Sequence, residues 1–153
     1  YARRAGCQMH GVGGQSISQK WADGIATVHG MHVKNFPNAF FFGPIQSAFT
    51  ATYTYALDEQ SIHLAHILKT ARARGATRIE ANEAAEKKWV QTIIEKARKT
   101  EVFQEQCTPG YYNNEGNVNT KPQNNTYGGG PIEFFGLMEK WRDQGNLDGL
   151  ELT

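Results

Sequence analysis

The sequence predicts a mixed α/β chain: short β segments first, then three helices, with a long aromatic loop ahead of the last helix. Three observations carry that prediction. Short apolar runs bounded by Gly, Pro and Asn occupy the region before residue 45. After residue 50, three stretches repeat apolar residues at helical spacing. Between the second and third lies TPGYYNNEGNVNTKPQNNTYGGG (residues 108–130), rich in Gly, Asn, Pro and Tyr and nearly free of aliphatic side chains.

The first twenty residues are Gly-rich, and GVGG at 11–14 reads as a turn. A phosphate cradle needs a strand before it, a helix after it and a different glycine spacing. IATVHGMHV (25–33) sets Ile25, Val28, Met31 and Val33 in a broken alternation around Gly30, which predicts a bent strand or irregular β segment. Pro37-Asn38 marks a turn. Ala39, Phe40, Phe41 and Phe42 then read as a short strand buried on both faces, stopped by Gly43-Pro44. That pattern suits the C-terminal end of a strand in an open α/β sheet, where such folds place ligands.

Residues 52–74 predict a helix with Ala56, Ile62, Ala65, Ile67 and Leu68 on its apolar face and Gly75 as its stop. Residues 78–99 predict a second, with Trp89, Ile93 and Ala97 at i, i+4 and i+8 and Val90 and Ile94 beside them. Glu80, Glu83 and Glu86 lead it, and Lys96, Arg98 and Lys99 trail it, as the helix macrodipole favours. These charges read as a solvated face. Residues 131–144 predict the third helix, opened by Pro131 and carrying Phe134, Leu137, Met138 and Trp141 on one face. The tail GLELT reads as a strand or docked coil. No repeat or linker divides residues 1–153, so they form one unit.

The charge balance, 16 Lys+Arg against 15 Asp+Glu, gives a net +1 and no general attraction for nucleic acid or an anionic membrane. No apolar run approaches the ~20 residues that span a bilayer. Cys7 and Cys107 stand in no metal or redox spacing and read as buried free thiols in a reducing, cytoplasmic setting. His29 and His32, three apart in a β segment, point to opposite faces; His63 and His66 share a helix face without a third ligand nearby. No metal site is predicted. No nucleophile elbow or Walker loop occurs, and no catalytic residue is assigned within the segment. On residue chemistry alone the chain is part of a mixed α/β protein with an unusual aromatic loop.

The order of the motifs resembles the late segment of type I Baeyer–Villiger monooxygenases. That family shows a Gly-rich turn, Lys-Trp followed by Gly, a strand, a Pro-Asn and aromatic run, then Gly-Pro. Here these are residues 11–14, Lys20-Trp21, Gly24, Phe36-Pro37-Asn38, residues 39–42 and Gly43-Pro44. The helix carrying Asp58-Glu59-Gln60, the stretch EKKWV at 86–90 and the ending GLELT are similar to later family elements. TPGYYNNEG at 108–116 is closest to the subgroup that accepts large or polycyclic ketones.

The resemblance implies the C-terminal part of a Rossmann-like FAD-binding domain in an enzyme that uses FAD and NADPH. With O2, such enzymes convert a ketone to an ester or lactone. The family's two dinucleotide fingerprints and its signature motif lie upstream of this region and are not among the 153 residues. The segment alone is therefore expected to be inactive and to be completed by the upstream part of the same enzyme.

By the same resemblance Gly43, Pro44, Thr52, Tyr53 and Thr54 approach the flavin; ordinary helix capping is the alternative for residues 52–54. Tyr111, Tyr112 and Lys121 fall in a loop that folds over NADP, with a solvated charge as the alternative for Lys121. Two other readings stay open. One is a related flavin monooxygenase that oxygenates N or S. The other is a non-catalytic α/β fragment or interaction module.

Overall fold

The computed structural model describes residues 6–97, 108–110 and 121–153. Among them are four helices and one two-stranded sheet. The helices are α1 (Ile17–Lys20), α2 (Tyr53–Ala73), α3 (Glu83–Lys96) and α4 (Pro131–Gln144). Strands β1 (Ile79–Ala81) and β2 (Leu150–Leu152) pair antiparallel, with Ile79 opposite Leu152 and Ala81 opposite Leu150.

The Gly-rich start folds as expected. Val12–Gly14 is a 3-10 turn. Ser16 then opens α1 with a capping box: its hydroxyl accepts from the Gln19 N–H while the Gln19 side chain accepts from the Ser16 N–H.

The 25–33 segment is a tight reversal. Val28 and His32 form an isolated antiparallel bridge, and His29 and Gly30 between them both take positive φ. A Cβ on Gly30 would sit 2.5 Å from the Ile45 carbonyl oxygen, so only glycine lets the reversal lie on residues 45–47. His29 and His32 turn to different neighbours, as expected, but from a turn.

Residues 39–42 are not a strand. Phe41 is buried and donates its N–H to the Met31 carbonyl, whereas Phe42 is 39% exposed. No strand lies beside the run among the described residues, so it is extended coil. The Pro37-Asn38 turn is present and has a task the sequence did not announce. Asn38 sits at φ 55, its N–H donates to the Ile79 carbonyl, and its side chain accepts from the Ile79 N–H. It thereby extends the edge of β1.

Helix α2 matches the prediction to within a residue and is followed by Gly75 at φ 72. Its buried face differs. Ala56, Gln60, His63, Ile67 and Ala71 face inward, while Ile62 and Leu68 are 46% and 44% exposed. The second predicted helix starts later, because residues 79–81 are claimed by β2 and the Asn82 side chain caps α3 at the Ala85 N–H. Trp89 and Ile93 are buried as predicted. Helix α4 buries Phe134, Phe135, Met138 and Trp141 and ends on Gly145 in the left-handed conformation. The tail is a strand.

Two acidic residues assigned to a solvated face are interior. Glu86 accepts from Lys20 Nζ at 2.7 Å and from the Lys34 N–H at 2.9 Å. Glu80 accepts from the Asn35 N–H at 2.7 Å and from Arg78 at 2.6 Å. Consecutive backbone donors in the 34–35 turn are thus held by two carboxylates from β1 and α3. Arg78, the Asn35 N–H and Lys34 draw the Glu80 carboxyl below its ordinary range against the cost of its burial. Cys7, expected buried, is exposed; Cys107 lies outside the described residues.

Candidate functional site

The site is built where residues 43–47 meet the start of α2. Gly43 is buried at φ 130, a conformation that favours glycine. A Cβ there would lie 3.4 Å from the Tyr53 hydroxyl. The Gly43-Pro44 turn and Tyr53 therefore lie close together, with Thr52 and Thr54 exposed beside Tyr53. No side chain caps the start of α2. The first N–H groups of a 21-residue helix thus face outward at its positive end.

The turn is held from behind by buried amides. The Gln60 side chain accepts from the Gly43 N–H at 3.0 Å and donates to the Gly43 carbonyl at 2.9 Å. It also donates to the Ser47 hydroxyl, which donates in turn to the Gly43 carbonyl. Gln46, fully buried at φ 48, accepts from the Thr27 hydroxyl and donates to the Ile25 and Gln123 carbonyls. Its own carbonyl accepts from the Trp89 indole. One side chain thereby joins the turn before Met31 to the segment after Lys121.

Lys121 is tethered across the chain, donating from Nζ to the Ala22 carbonyl at 2.9 Å. Ile25 N–H donates to the Asn124 side chain, and Tyr127 N–H donates to the Ser47 carbonyl. Residues 121–127 are thus docked on 22–25 and 46–47, adjoining the Gly43 turn. Tyr111 and Tyr112 lie outside the described residues.

Behind the turn is a cluster of imidazole and indole rings. His29 lies 5.4 Å from His63, 5.1 Å from Trp89 and 5.2 Å from Trp141, centroid to centroid. His29 Nδ1 and both nitrogens of His63 are buried without a hydrogen-bond partner. Burial holds the imidazoles neutral: it pushes His29 down to about 3, with His32 adding to the effect, and His32 to about 4. His63 falls to about 2, by burial first and then by His29, His32 and Arg142. Among the described residues no three His, Cys, Asp or Glu side chains converge as metal ligands. No helix among them is long and apolar enough to cross a membrane.

Sequence reasoning placed Gly43, Pro44 and residues 52–54 near one another through the motif order. It missed Gln60, Gln46, Ser47 and Thr27. Gln60 was visible only as the last residue of Asp58-Glu59-Gln60; its inward direction follows from α2 packing on the turn, which no local pattern announces.

No family model matches the chain. Individual relatives do, however. Pentalenolactone D synthase of Streptomyces exfoliatus is 46% identical over 99% of this chain and 26% of its own length. Baeyer-Villiger monooxygenase ATR8 of Stachybotrys chlorohalonatus is 36% identical over 99% of this chain and 25% of its own. The structure superposes on a polycyclic ketone monooxygenase from the thermophilic fungus Thermothelomyces thermophila with a TM-score of 0.91 and 31% identity, over 99% of this chain and 25% of that one. An oxidized steroid monooxygenase bound to NADP shares the fold at a TM-score of 0.77 and 21% identity, over 97% of this chain and 26% of that one.

The chain spans about a quarter of the length of the curated relatives it matches. Over that quarter it is similar to proteins named Baeyer-Villiger and FAD-binding monooxygenases, and its fold matches the C-terminal part of flavin monooxygenases.

Proposed function

We propose that the polypeptide carrying this chain is a flavin-dependent Baeyer–Villiger monooxygenase that uses FAD, NADPH and O2 to convert a ketone to an ester or lactone. The carrying observation is the 46% identity to pentalenolactone D synthase over 99% of the chain, in the part that builds the Gly43 turn. Relatives named FAD-binding monooxygenases and NADP-bound neighbours of the same fold support the cofactors. The resemblance to the polycyclic ketone monooxygenase supports a bulky cyclic ketone as substrate.

The residues present fit a flavin ring. Gly43 leaves its backbone bare of a side chain beside the Tyr53 hydroxyl, and the uncapped start of α2 offers backbone N–H groups to a carbonyl oxygen. When bound, the flavin supplies the activation of O2 and the transfer of oxygen to the ketone. In this reading Gly43 and Pro44 let the backbone approach the ring face, and residues 52–54 bind its polar edge. Residues 121–127 anchor the end of a lid formed with Tyr111 and Tyr112 over NADP, Lys121 holding its base. The chain works with the upstream part of the enzyme, is inactive alone and acts in the cytoplasm.

The test is purification of the full polypeptide and incubation with NADPH and a panel of cyclic ketones. Bound FAD and ketone-dependent lactone formation are expected. Absence of flavin, or flavin without lactone, overturns the reading; N- or S-oxide products in place of lactone select the related monooxygenase class.

A further inference from the structure

Tyr53 and Gln60 stand seven residues apart on α2 and therefore share a face. Both meet Gly43: Tyr53 by its hydroxyl in front, Gln60 by its amide behind. Gly43 is buried, and among the described residues no backbone group pairs with its N–H or its carbonyl. The Gln60 amide satisfies both, presenting an acceptor and a donor side by side as a neighbouring strand would. Ser47 closes the arrangement by linking the Gln60 nitrogen to the same carbonyl. Gln60 is itself only 4% exposed, on a helix face shared with Ala56 and Ile67. An apolar side chain of similar volume would suit that face equally well but would leave the Gly43 N–H unpaired and its carbonyl with the Ser47 hydroxyl alone.

We propose that Gln60 is a positioning residue of the flavin site, locking the Gly43-Pro44 turn to the start of α2. This rests on the flavin reading above. At a rise of 1.5 Å per residue, Gln60 lies about 10 Å along the helix from Tyr53. One rigid helix therefore carries both the groups that bind the ring's edge and the amide that holds the turn against its face. Without the amide, the turn is free to shift relative to the helix start. A displacement of about 1 Å near reacting groups costs about a hundredfold in rate.

The test uses the full flavin-loaded polypeptide and two variants. Gln60→Met keeps the volume and removes all three side-chain hydrogen bonds. It should bind FAD about tenfold more weakly, shift the flavin absorbance bands, and consume NADPH with little lactone formed. Gln60→Glu is isosteric. Ionised, its carboxylate can accept from Gly43 but no longer donate to the Gly43 carbonyl or Ser47. Protonated, it donates again.

Burial raises that carboxyl's pKa, so the Gln60→Glu protein should be defective at about pH 9 and recover flavin spectrum and coupling towards about pH 6. The native protein should keep a constant ratio of lactone to NADPH over that range. The Gln60→Glu comparison is made within one folded molecule, so it stands even where Gln60→Met fails to fold. If the native protein binds flavin and forms lactone while Gln60→Glu matches it at every pH, Gln60 has no positioning role. If the native protein binds no flavin, the underlying reading fails and this proposal with it.

Discussion

Acidification should unfold this protein through His29, His32 and His63. All three are buried, and in the folded chain burial depresses their pKa values to about 3, 4 and 2. In the unfolded chain each returns to about 6.5. The folded values lie below the unfolded one, so the unfolded state binds more protons between them. Stability is intact above about pH 7 and is lost as pH falls through 6.5.

At about pH 5 an unfolded imidazole is almost fully protonated, and each site contributes about 2 kcal/mol to unfolding. That figure depends on the unfolded value, because all three folded values lie well below the window. Three sites give about 6 kcal/mol, comparable with the 5–15 kcal/mol that holds a typical domain together. Carboxylates, with unfolded values near 4, contribute little above pH 5.

Urea unfolding at about pH 7.5, 6 and 5 measures the effect. Near the lower end the slope should approach about 4 kcal/mol per pH unit, nearly three protons. His63→Leu should lower that slope by about one proton. It should leave the protein no less stable at about pH 7.5, because it also removes two unpartnered buried nitrogens. A stability that does not change between about pH 7.5 and 5 would refute the reasoning.

Other variants separate glycines and carboxylates by their surroundings. Gly30→Ala places a methyl against the Ile45 carbonyl at positive φ and should cost about 2–3 kcal/mol in urea unfolding. Gly136→Ala, in mid-α4 with nothing within 4 Å of the new methyl, should stabilise by about 0.5–1 kcal/mol. Glu86→Ala strands the Lys20 ammonium and the Lys34 N–H and should cost about 2–4 kcal/mol. Glu83→Ala breaks an exposed pair with Lys87 and removes one first-turn carboxylate from α3, so it should lower the unfolding midpoint far less than Glu86→Ala.

Much of the local architecture was legible in the residue order. Phe134, Met138 and Trp141 repeat at helical spacing and are buried on α4; Gly75 stops α2; Asn38 turns the chain after Pro37. Each depends on neighbours within a few residues, which a linear pattern contains. The helix after Gly43-Pro44 was legible in the same way, whereas the strand those two residues were read as stopping is absent.

The long-range polar assignments were not. The Gln60 amide reaches a backbone 17 residues away, and Glu86 reaches one 52 residues away. Apolar periodicity chose Ile62 and Leu68 for the inner face of α2, whereas Gln60 and His63 occupy it. The run at 39–42 has strand composition, yet no strand pairs with it among the described residues; its one long-range backbone bond is Phe41 N–H to the Met31 carbonyl. The sequence by itself determined which segments are helical, where they turn and which motif order they share with monooxygenases. Only the tertiary structure decided which polar side chains lie inside. A buried backbone N–H or carbonyl demands a partner wherever the chain can supply one, and that demand is set by packing rather than by the residues beside it.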